Sequence, residues 1–462
     1  MRVLFLLRAL LAALFFVSGL LVNPRLSHSA EWSAVPSIRV ASEYDDNIHL
    51  TTQSHNTVHG LMVDPKLDID ARSQNWQLNG GAEYERKNYS GEDGLDTDNR
   101  YFRLGSSYGT ERSMWQLNGS LARASVMTSE IVSTDKYIYG YFYYFPVVNS
   151  VRTNRMQEVT NINPSWLWSL DERKQLLLSY QYTDVSYVDG RSVGLTDSSS
   201  RSTTIKFTNQ VSPADHVFLS GSYSLFHAPD VAHAPEISIY TYVANAVNPM
   251  AISSESRSTS YQAGIAHAFS ENMRGNLSFG SRRTDAEQLY RTCPMPNSWY
   301  LPPTGSPLYY PGFGEPCLAP YVYRTLFSVQ SSTIFSGGLE VQYESTNVSV
   351  SVSRDFNTSS AGDQVRNDTL SLGIKRSISA KLTGSISGSI SEYSSETGAV
   401  SSTNYRLSLI QPSLSWQWTE ELSVYSSYRH TDMKRDWETK SASSNSVNLA
   451  LTYQWPKIAY SR

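Results

Sequence analysis

The stretch Leu382-Thr383-Gly384-Ser385-Ile386-Ser387-Gly388-Ser389-Ile390 decides the fold, because hydroxyl-bearing side chains alternate in it with apolar or small ones. Successive side chains of a β-strand point to opposite faces of the sheet, so this strand has one apolar and one polar face. The same alternation occurs in 348–352 and 447–455 and recurs along most of the chain. The pattern predicts an all-β protein with about eighteen strands.

The connections between these strands alternate between short and long. The eight short ones lie near 72–75, 110–113, 171–174, 212–215, 270–272, 345–347, 379–381 and 419–421. The nine long ones lie near 45–57, 88–99, 125–157, 187–201, 227–257, 283–330, 355–367, 393–404 and 431–445. A soluble sandwich has no reason to obey this parity, whereas it is typical of bacterial membrane barrels. We therefore predict a transmembrane, antiparallel, up-and-down β-barrel with short periplasmic turns and long extracellular loops.

Aromatic residues are sorted along the predicted strands. Trp76, Trp115 and Trp416 lie beside short turns, and Tyr84 and Tyr180 lie toward the far strand ends. The eight residues from Trp76 to Tyr84 span about 26 Å of strand, or about 20 Å after tilting. This separation is close to the height of an apolar membrane band with an aromatic girdle at each interface.

The first thirty residues predict a secretory signal peptide. Arg2 and Arg8 precede the apolar run 9–22, and small residues follow at Ser29 and Ala30. The alternative, a retained membrane helix, needs a longer apolar run. We predict a signal peptide over 1–30 and an outer-membrane barrel over 31–462, in the outer membrane of a Gram-negative bacterium.

Composition restricts the partners. The net charge of −4 and the absence of basic blocks argue against a nucleic-acid partner. The two cysteines, Cys293 and Cys317, fall in the sixth predicted outer loop, where an oxidising compartment favours a disulfide between them. Two isolated cysteines do not predict a metal site.

The strand face opposite the apolar one is expected to line the barrel interior. It carries Lys66, Asp68, Asp70, Gln77, Asn79, Glu83, Glu85, Gln116, Asn118, Ser120, Thr204, Lys206, Thr208, Ser349, Ser351, Ser353, Ser371, Lys375, Thr383, Ser385, Ser387 and Ser389. A barrel of this strand number holds water, and this mixed, hydroxyl-rich lining suits a mostly neutral polar solute such as a carbohydrate. The alternative is a polar lining that only keeps the interior wet.

The third predicted outer loop is rich in aromatic residues. Its tyrosines, interspersed with Phe142 and Phe145, are Tyr137, Tyr139, Tyr141, Tyr143 and Tyr144. One interpretation folds this loop into the barrel, where the rings contact a glycan. The other is an extra hairpin above the membrane with its aromatic side chains packed together.

Motifs for catalysis are weak. The first outer loop contains His49, His55 and His59 near Asp45 and Asp46, but loosely spaced loop histidines seldom bind metal. His267 lies among apolar residues, where a membrane lipid hydrolase could carry its histidine, but no serine motif accompanies it. We predict no enzymatic activity, no catalytic residues and no cofactor.

The opening run Ser37-Ile38-Arg39-Val40-Ala41-Ser42-Glu43-Tyr44-Asp45-Asp46-Asn47-Ile48 resembles the first strand and loop of β-barrel porins encoded with exopolysaccharide secretion systems. The chain length, the strand count and the closing Leu451-Thr452-Tyr453-Gln454-Trp455 are also similar to that group. A departure is that residues 456–462 follow Trp455, whereas many outer-membrane barrels end on an aromatic residue.

The resemblance implies a passive export channel for an exopolysaccharide. It also implies two partners besides outer-membrane lipids, namely the exopolysaccharide and a periplasmic polysaccharide-export protein. The alternative from the residues alone is a general or sugar-selective diffusion porin for small solutes. Neither the family resemblance nor the residue pattern predicts an oligomeric state.

Overall fold

The computed structural model describes residues 31–92, 94–125, 132–137, 146–151, 155–188, 195–229, 250–292, 322–358, 364–395, 404–436 and 438–461. The strands are Glu31–Asp45 (β1), Val58–Arg72 (β2), Trp76–Ser90 (β3), Thr97–Gly109 (β4), Ser113–Ser125 (β5), Val132–Tyr137 (β6), Pro146–Val151 (β7), Met156–Ser169 (β8), Lys174–Tyr187 (β9), Ser198–Gln210 (β10) and Asp215–Ala228 (β11). They continue with Met250–Ser270 (β12), Met273–Thr292 (β13), Val322–Gln342 (β14), Thr346–Thr358 (β15), Gln364–Ser377 (β16), Leu382–Ser395 (β17), Tyr405–Gln417 (β18), Leu422–Arg435 (β19), Ala442–Gln454 (β20) and Ile458–Ser461 (β21). Within these ranges no helix is long and apolar enough to cross a membrane.

The strands form one closed antiparallel barrel. From β1 to β20 each strand pairs with its sequence neighbour, except that β5 pairs with β8 because β6 and β7 form a separate hairpin. The sheet closes where β1 pairs with β20, for example Val40 opposite Leu451. We call this first-to-last pairing the seam. The predicted transmembrane, up-and-down barrel is confirmed.

The last barrel position is filled by two segments. After β20 the chain leaves the ladder at Pro456 and resumes as β21, whose residues pair with 31–34 at the start of β1. Proline has no N–H to donate to the ladder, which explains the break. Trp455 still donates its N–H to Pro36 O at 3.0 Å. The nineteen segments of the sheet therefore fill eighteen barrel positions, as predicted.

Short turns and long loops alternate as predicted, and polar side chains build several of the short turns. Asp171 accepts hydrogen bonds from the backbone N–H groups of Arg173 and Lys174 at 2.8 and 2.7 Å. The bond from Arg173 leads the causes that hold the pKa of Asp171 below its ordinary value. Ser212, Ser379 and Thr419 accept equivalent bonds from the residue three places on. Such side chains replace the missing ladder partners of a tight turn.

The barrel has little packed core. The large apolar side chains face outward, for example Leu61 and Leu449, each 54% exposed. Their inward neighbours Met62 and Ala450 are 5% and 2% exposed. An apolar outer face is stable only where lipid covers it, so this exposure places the barrel in a membrane. Closed barrels of this kind, with short turns and long loops, belong to the bacterial outer membrane.

Candidate functional site

The barrel interior is the candidate site, and its lining follows from strand register. Antiparallel partners share a face, so the inward Ser351 lies beside Ser371, and Ser371 lies beside Ser389. An eighteen-stranded barrel is wide enough to leave a water-filled interior. The inward positions agree with the lining predicted from alternation, including Lys206 beside the 53% exposed, outward Ile205.

Charge on the inner surface is concentrated on β1 to β4. We call this set the charged wall: Arg39, Glu43, Asp64, Lys66, Asp68, Glu83, Glu85, Lys87 and Arg103. Lys66 Nζ lies 2.7 Å from Asp68 Oδ2, and Lys87 Nζ lies 3.7 Å from Glu85 Oε1. The signs are interleaved, so the wall forms local ion pairs and presents no ladder of one sign.

Arg103 and Asp64 are paired to different degrees within the charged wall. Arg103 Nη2 lies 3.8 Å from Asp68 Oδ1 and 3.9 Å from Glu83 Oε2. Asp64 lies opposite Arg39 in register and is 7% exposed. Within the described part of the chain, Asp64 Oδ1 is buried without a hydrogen-bond partner.

The inner face from β11 to β18 is lined mainly by hydroxyl groups. We call this set the hydroxyl wall: Ser220, Ser222, Ser224, Ser258, Ser260, Ser278, Ser336, Ser349, Ser351, Ser353, Ser371, Ser385, Ser387, Ser389 and Ser413. Neighbouring hydroxyls are hydrogen-bonded to each other across strands, at 2.6 Å for Ser278–Ser336 and 2.7 Å for Ser385–Ser413. A hydroxyl both donates and accepts, so this wall can exchange hydrogen bonds with water or with sugar hydroxyls.

Two cations on this side of the interior lie against aromatic rings. Lys206 Nζ is 4.2 Å from the centre of the Phe218 ring, and Arg282 Cζ is 4.9 Å from that of Phe356. Arg282 also donates to Ser258 Oγ at 2.8 Å. Gly264 leaves room for the Phe218 ring, because a Cβ at Gly264 would overlap it. Inside the barrel, Lys206 and Phe218 combine a hydrogen-bond donor with an apolar ring, which suits a sugar.

The first outer loop folds inward at the barrel mouth. Leu50, which has φ +46°, packs with Met433 and Ala442, whose side chains point into the barrel. Arg435 Nη2 donates to Leu50 O at 3.1 Å. On the other side Ile48 packs with Val58. The loop therefore covers part of the mouth beside the seam.

Residues 45–47, within the motif that carries the family resemblance, hold the seam together. Asp45 accepts from Ser444 Oγ at 2.8 Å, and Asp46 accepts from the backbone N–H of Asn445 at 2.7 Å. Asn47 Nδ2 donates to Ser443 O at 2.9 Å. Asp45 and Asn47 are 4% and 1% exposed, so these bonds lie in a buried part of the seam.

The structure does not bring the histidines of the first loop together. His49 Nε2 is 3.0 Å from Glu92 Oε1, whereas His55 Nδ1 is 2.8 Å from the carbonyl of Gln53. Asp45 and Asp46 bind the seam residues described above. Within the described ranges no group of three or more His, Cys, Asp or Glu side chains has the arrangement of a metal site.

His267 lies on the outer wall at the periplasmic end of β12. Its Nδ1 is 2.6 Å from Asp215 Oδ1, and the same carboxylate accepts from Ser212 Oγ at 2.6 Å. In a hydrolase the histidine must accept the proton of the serine hydroxyl. Here the serine donates to the aspartate, so the arrangement does not activate Ser212.

The predicted glycan-contacting tyrosines and the predicted disulfide lie largely outside the described residues. Tyr137 is described through its backbone as the last residue of β6, opposite Pro146 of β7. Tyr139, Tyr141, Tyr143 and Tyr144 fall between these strands, outside the described residues, as do Cys293 and Cys317. Both predictions stay predictions.

Comparisons with known proteins give only loose likenesses. No family model matches the sequence, and no curated protein matches it. The ferric-catecholate import receptor Fiu of E. coli is 9% identical with a TM-score of 0.43, covering 91% of this chain and 81% of that one. OccK2 of Pseudomonas aeruginosa, solved with glucuronate, is 8% identical with a TM-score of 0.44, covering 92% and 97%. OccAB2 of Acinetobacter baumannii is 8% identical with a TM-score of 0.43, covering 92% and 98%. Overlaps this loose carry no argument about what the chain does.

Proposed function

We propose that this barrel is a passive exit channel for an exopolysaccharide, which it receives from a periplasmic polysaccharide-export protein. The hydroxyl wall is the observation that supports this proposal. A polymer has to bind weakly at many places, because a single tight site would stop its movement. Neutral hydroxyls repeated over neighbouring strands provide many equivalent weak contacts. The sequence resemblance to porins of exopolysaccharide secretion systems points in the same direction.

The aromatic groups supply the apolar part of the contact. Phe218 lies on the inside, where its ring centre is 4.2 Å from Lys206 Nζ. Sugar rings have apolar faces and polar edges, so a ring beside a donor matches both. We extend the proposal to Tyr137, Tyr139, Tyr141, Tyr143 and Tyr144 of the third outer loop, which would contact the glycan as it leaves. Energy for polymer movement is supplied elsewhere.

The second candidate is a diffusion porin for sugars or other small solutes. The charged wall favours this candidate, because interleaved charges beside a wide polar interior suit small solutes as well. Deleting the gene in the source bacterium separates the two, provided surface polysaccharide and uptake of a scarce sugar are scored separately. Lost surface polymer with normal uptake supports export. Normal surface polysaccharide with slowed sugar uptake supports the diffusion porin instead.

A triple variant tests the hydroxyl wall itself. Ser351→Val, Ser371→Val and Ser389→Val remove three hydroxyls that are adjacent in register, and valine fits a strand well. We expect surface polymer to fall several-fold while the single-channel conductance for potassium chloride stays near that of the wild type. The matched control is Arg123→Gln, on the outer face, where Arg123 Nη1 is 3.6 Å from Glu158 Oε1 in an exposed pair. Unchanged polymer export in the triple variant would show that the hydroxyl wall does not contribute to export.

Deleting residues 137–145 tests the third outer loop. If its aromatic side chains narrow the channel, the deletion raises single-channel conductance, because the narrowest section of a pore dominates its resistance. Conductance equal to that of the wild type would place these rings outside the interior.

A further inference from the structure

Three exposed arginines lie on the outer wall, on strands β10, β12 and β13. Arg201 lies opposite Leu225 in register, and Leu225 lies opposite Arg257. Arg283 lies on the next strand, opposite Thr259. Their side chains point away from the interior, because each arginine lies four residues from an outward side chain on its own strand. These outward side chains are Ile205, Tyr261 and Phe279, respectively. We call Arg201, Arg257 and Arg283 the arginine patch.

The arginine patch lies at the outer edge of the apolar belt. Nine residues separate Arg201 from Gln210 at the periplasmic end of β10. This distance is about 30 Å of strand and about 23 Å along the membrane normal. The apolar band of such barrels is about 25 Å tall, so the patch lies where lipid chains give way to headgroups. Tyr223 and Tyr261, just below it, are 47% and 68% exposed, as expected for an interfacial girdle.

The charges of the patch are only partly satisfied within the protein. Arg201 Cζ lies 5.8 Å from the centre of the Tyr182 ring, and no carboxylate of the described residues forms an ion pair with Arg201 or Arg257. Arg283 Nε lies 3.2 Å from Asp285 Oδ1, but both side chains are more than half exposed. An exposed pair contributes little in water and yields to a stronger ligand.

Several carboxylates lie on the same outward face as the arginine patch, and Asp285 is opposite Arg257 in register. Asp184 lies on β9 above Tyr182, and Glu255 on β12 is 3.1 Å from His227 Nδ1. Elsewhere on the wall Arg354 is held by Asp368 through two bonds of 2.6 and 2.8 Å, so its donors are already used. The arginine patch differs from that site because most of its donors remain free for an outside ligand.

We propose that the arginine patch binds the phosphate groups of the glycolipid in the outer leaflet. A guanidinium matches a phosphate with two parallel hydrogen bonds. Arg201 and Arg257 are two strands apart, which is about 10 Å, so one lipid with two phosphates can reach both. The patch lies on the side of the long loops, which faces the phosphorylated glycolipid in a bacterial outer membrane. The tyrosines below the patch, Tyr223 and Tyr261, lie at the boundary between the sugar headgroup of the lipid and its acyl chains.

Native mass spectrometry in a neutral detergent tests this proposal with the folded, full-length barrel. The probes are diphosphorylated lipid A, its phosphate-free form and phosphatidylglycerol. The variant carries Arg201→Gln, Arg257→Gln and Arg283→Gln, and the control is Arg112→Gln, an exposed cation in a short turn on the periplasmic side. We expect lipid A affinity to fall on the order of fivefold for each arginine removed, while the control keeps wild-type affinity. The phosphate-free form should bind wild type and variant equally weakly.

Two results would overturn the proposal. One is a triple variant that binds lipid A as tightly as the wild type. The other is wild-type binding of phosphatidylglycerol equal to that of lipid A, which would show general attraction to anionic lipid. Should the triple variant fail to fold, the single variants Arg201→Gln and Arg257→Gln give the same comparison, each with an expected loss of about fivefold.

Discussion

Two adjacent residues of β20 give opposite predictions for the same substitution. Leu449 is 54% exposed on the outer wall, whereas Asn448 points inward, opposite Glu43 and Ser427. Arginine at 449 would extend its guanidinium into lipid chains, where no water or counter-charge is available. Arginine at 448 would extend it into the interior beside the Glu43 carboxylate. The two variants therefore differ in environment but not in chemistry.

The depth of Leu449 sets the size of the effect. Five residues separate Leu449 from Gln454 at the periplasmic end of β20. This distance is about 17 Å of strand and about 13 Å along the membrane normal, which is half of an apolar band about 25 Å tall. Leu449 thus lies near the membrane midplane, where an outward arginine costs roughly 2–4 kcal/mol. Asn448→Arg loses the 3.5 Å hydrogen bond from Arg39 Nη2 and places a second guanidinium near Arg39. The Glu43 carboxylate opposite and the water of the interior offset this repulsion, so we expect a loss of about 1 kcal/mol.

The assay is urea titration of folding into lipid vesicles, with the free energy of unfolding of each variant compared with the wild type. We expect Leu449→Arg to lower it by roughly 2–4 kcal/mol more than Asn448→Arg does. Equal losses at the two positions would refute the assignment of inner and outer faces, and with it the lining of the candidate site.

Three further changes test particular contacts. Asn47→Ala should lower the free energy of unfolding by about 1–3 kcal/mol in the same titration, because it removes two hydrogen bonds to the carbonyls of Thr51 and Ser443. A loss indistinguishable from zero would contradict this role. Gly264→Ala should cost about 1–3 kcal/mol, because the new Cβ meets the Phe218 ring and lies 2.8 Å from a backbone oxygen. Adding Phe218→Leu should then recover part of the loss, and no recovery would show that the ring is not the obstacle. Cys293 and Cys317 should resist thiol labelling in denatured, unreduced protein, because a disulfide between them leaves no free thiol. Such a bond, closing about 25 residues, would stabilise the protein by roughly 3 kcal/mol. Two labelled thiols would disprove it.

The barrel could be predicted from the sequence because its signal is local and repeated. Period-two alternation, as in 382–390, fixes the two faces of each strand without knowledge of its partners. The alternation of short and long connections then fixes the antiparallel order. The seam also follows, because an even strand count brings β1 beside β20.

The contacts that shape the site depend on register between strands, which alternation does not specify. Alternation places Lys206 on the inner face, but its contact with the Phe218 ring depends on how β10 and β11 align. The inward fold of the first loop does not follow from the sequence, because loop residues have no periodicity that assigns them to a face. The sequence places Asp45 and Asp46 near the loop histidines, whereas their side chains accept hydrogen bonds from Ser444 and Asn445 across the seam.

The seam has a consequence for how this barrel is made. The bond between Ser444 and Asp45 spans 399 residues, whereas that between Ser212 and Asp215 in a short turn spans 3. Bringing the ends of a flexible chain together costs about 0.6 kcal/mol of entropy for each doubling of the separation. Closing the seam directly from an unfolded chain would therefore cost about 4 kcal/mol more than closing a hairpin, so we expect the intervening hairpins to form first. The seam can close only after the last strand has been synthesised, and until then β1 is an unpaired sheet edge. The side chains of residues 45–47 stabilise this late step, and weakening them should leave a nearly complete but open sheet that is prone to join with another.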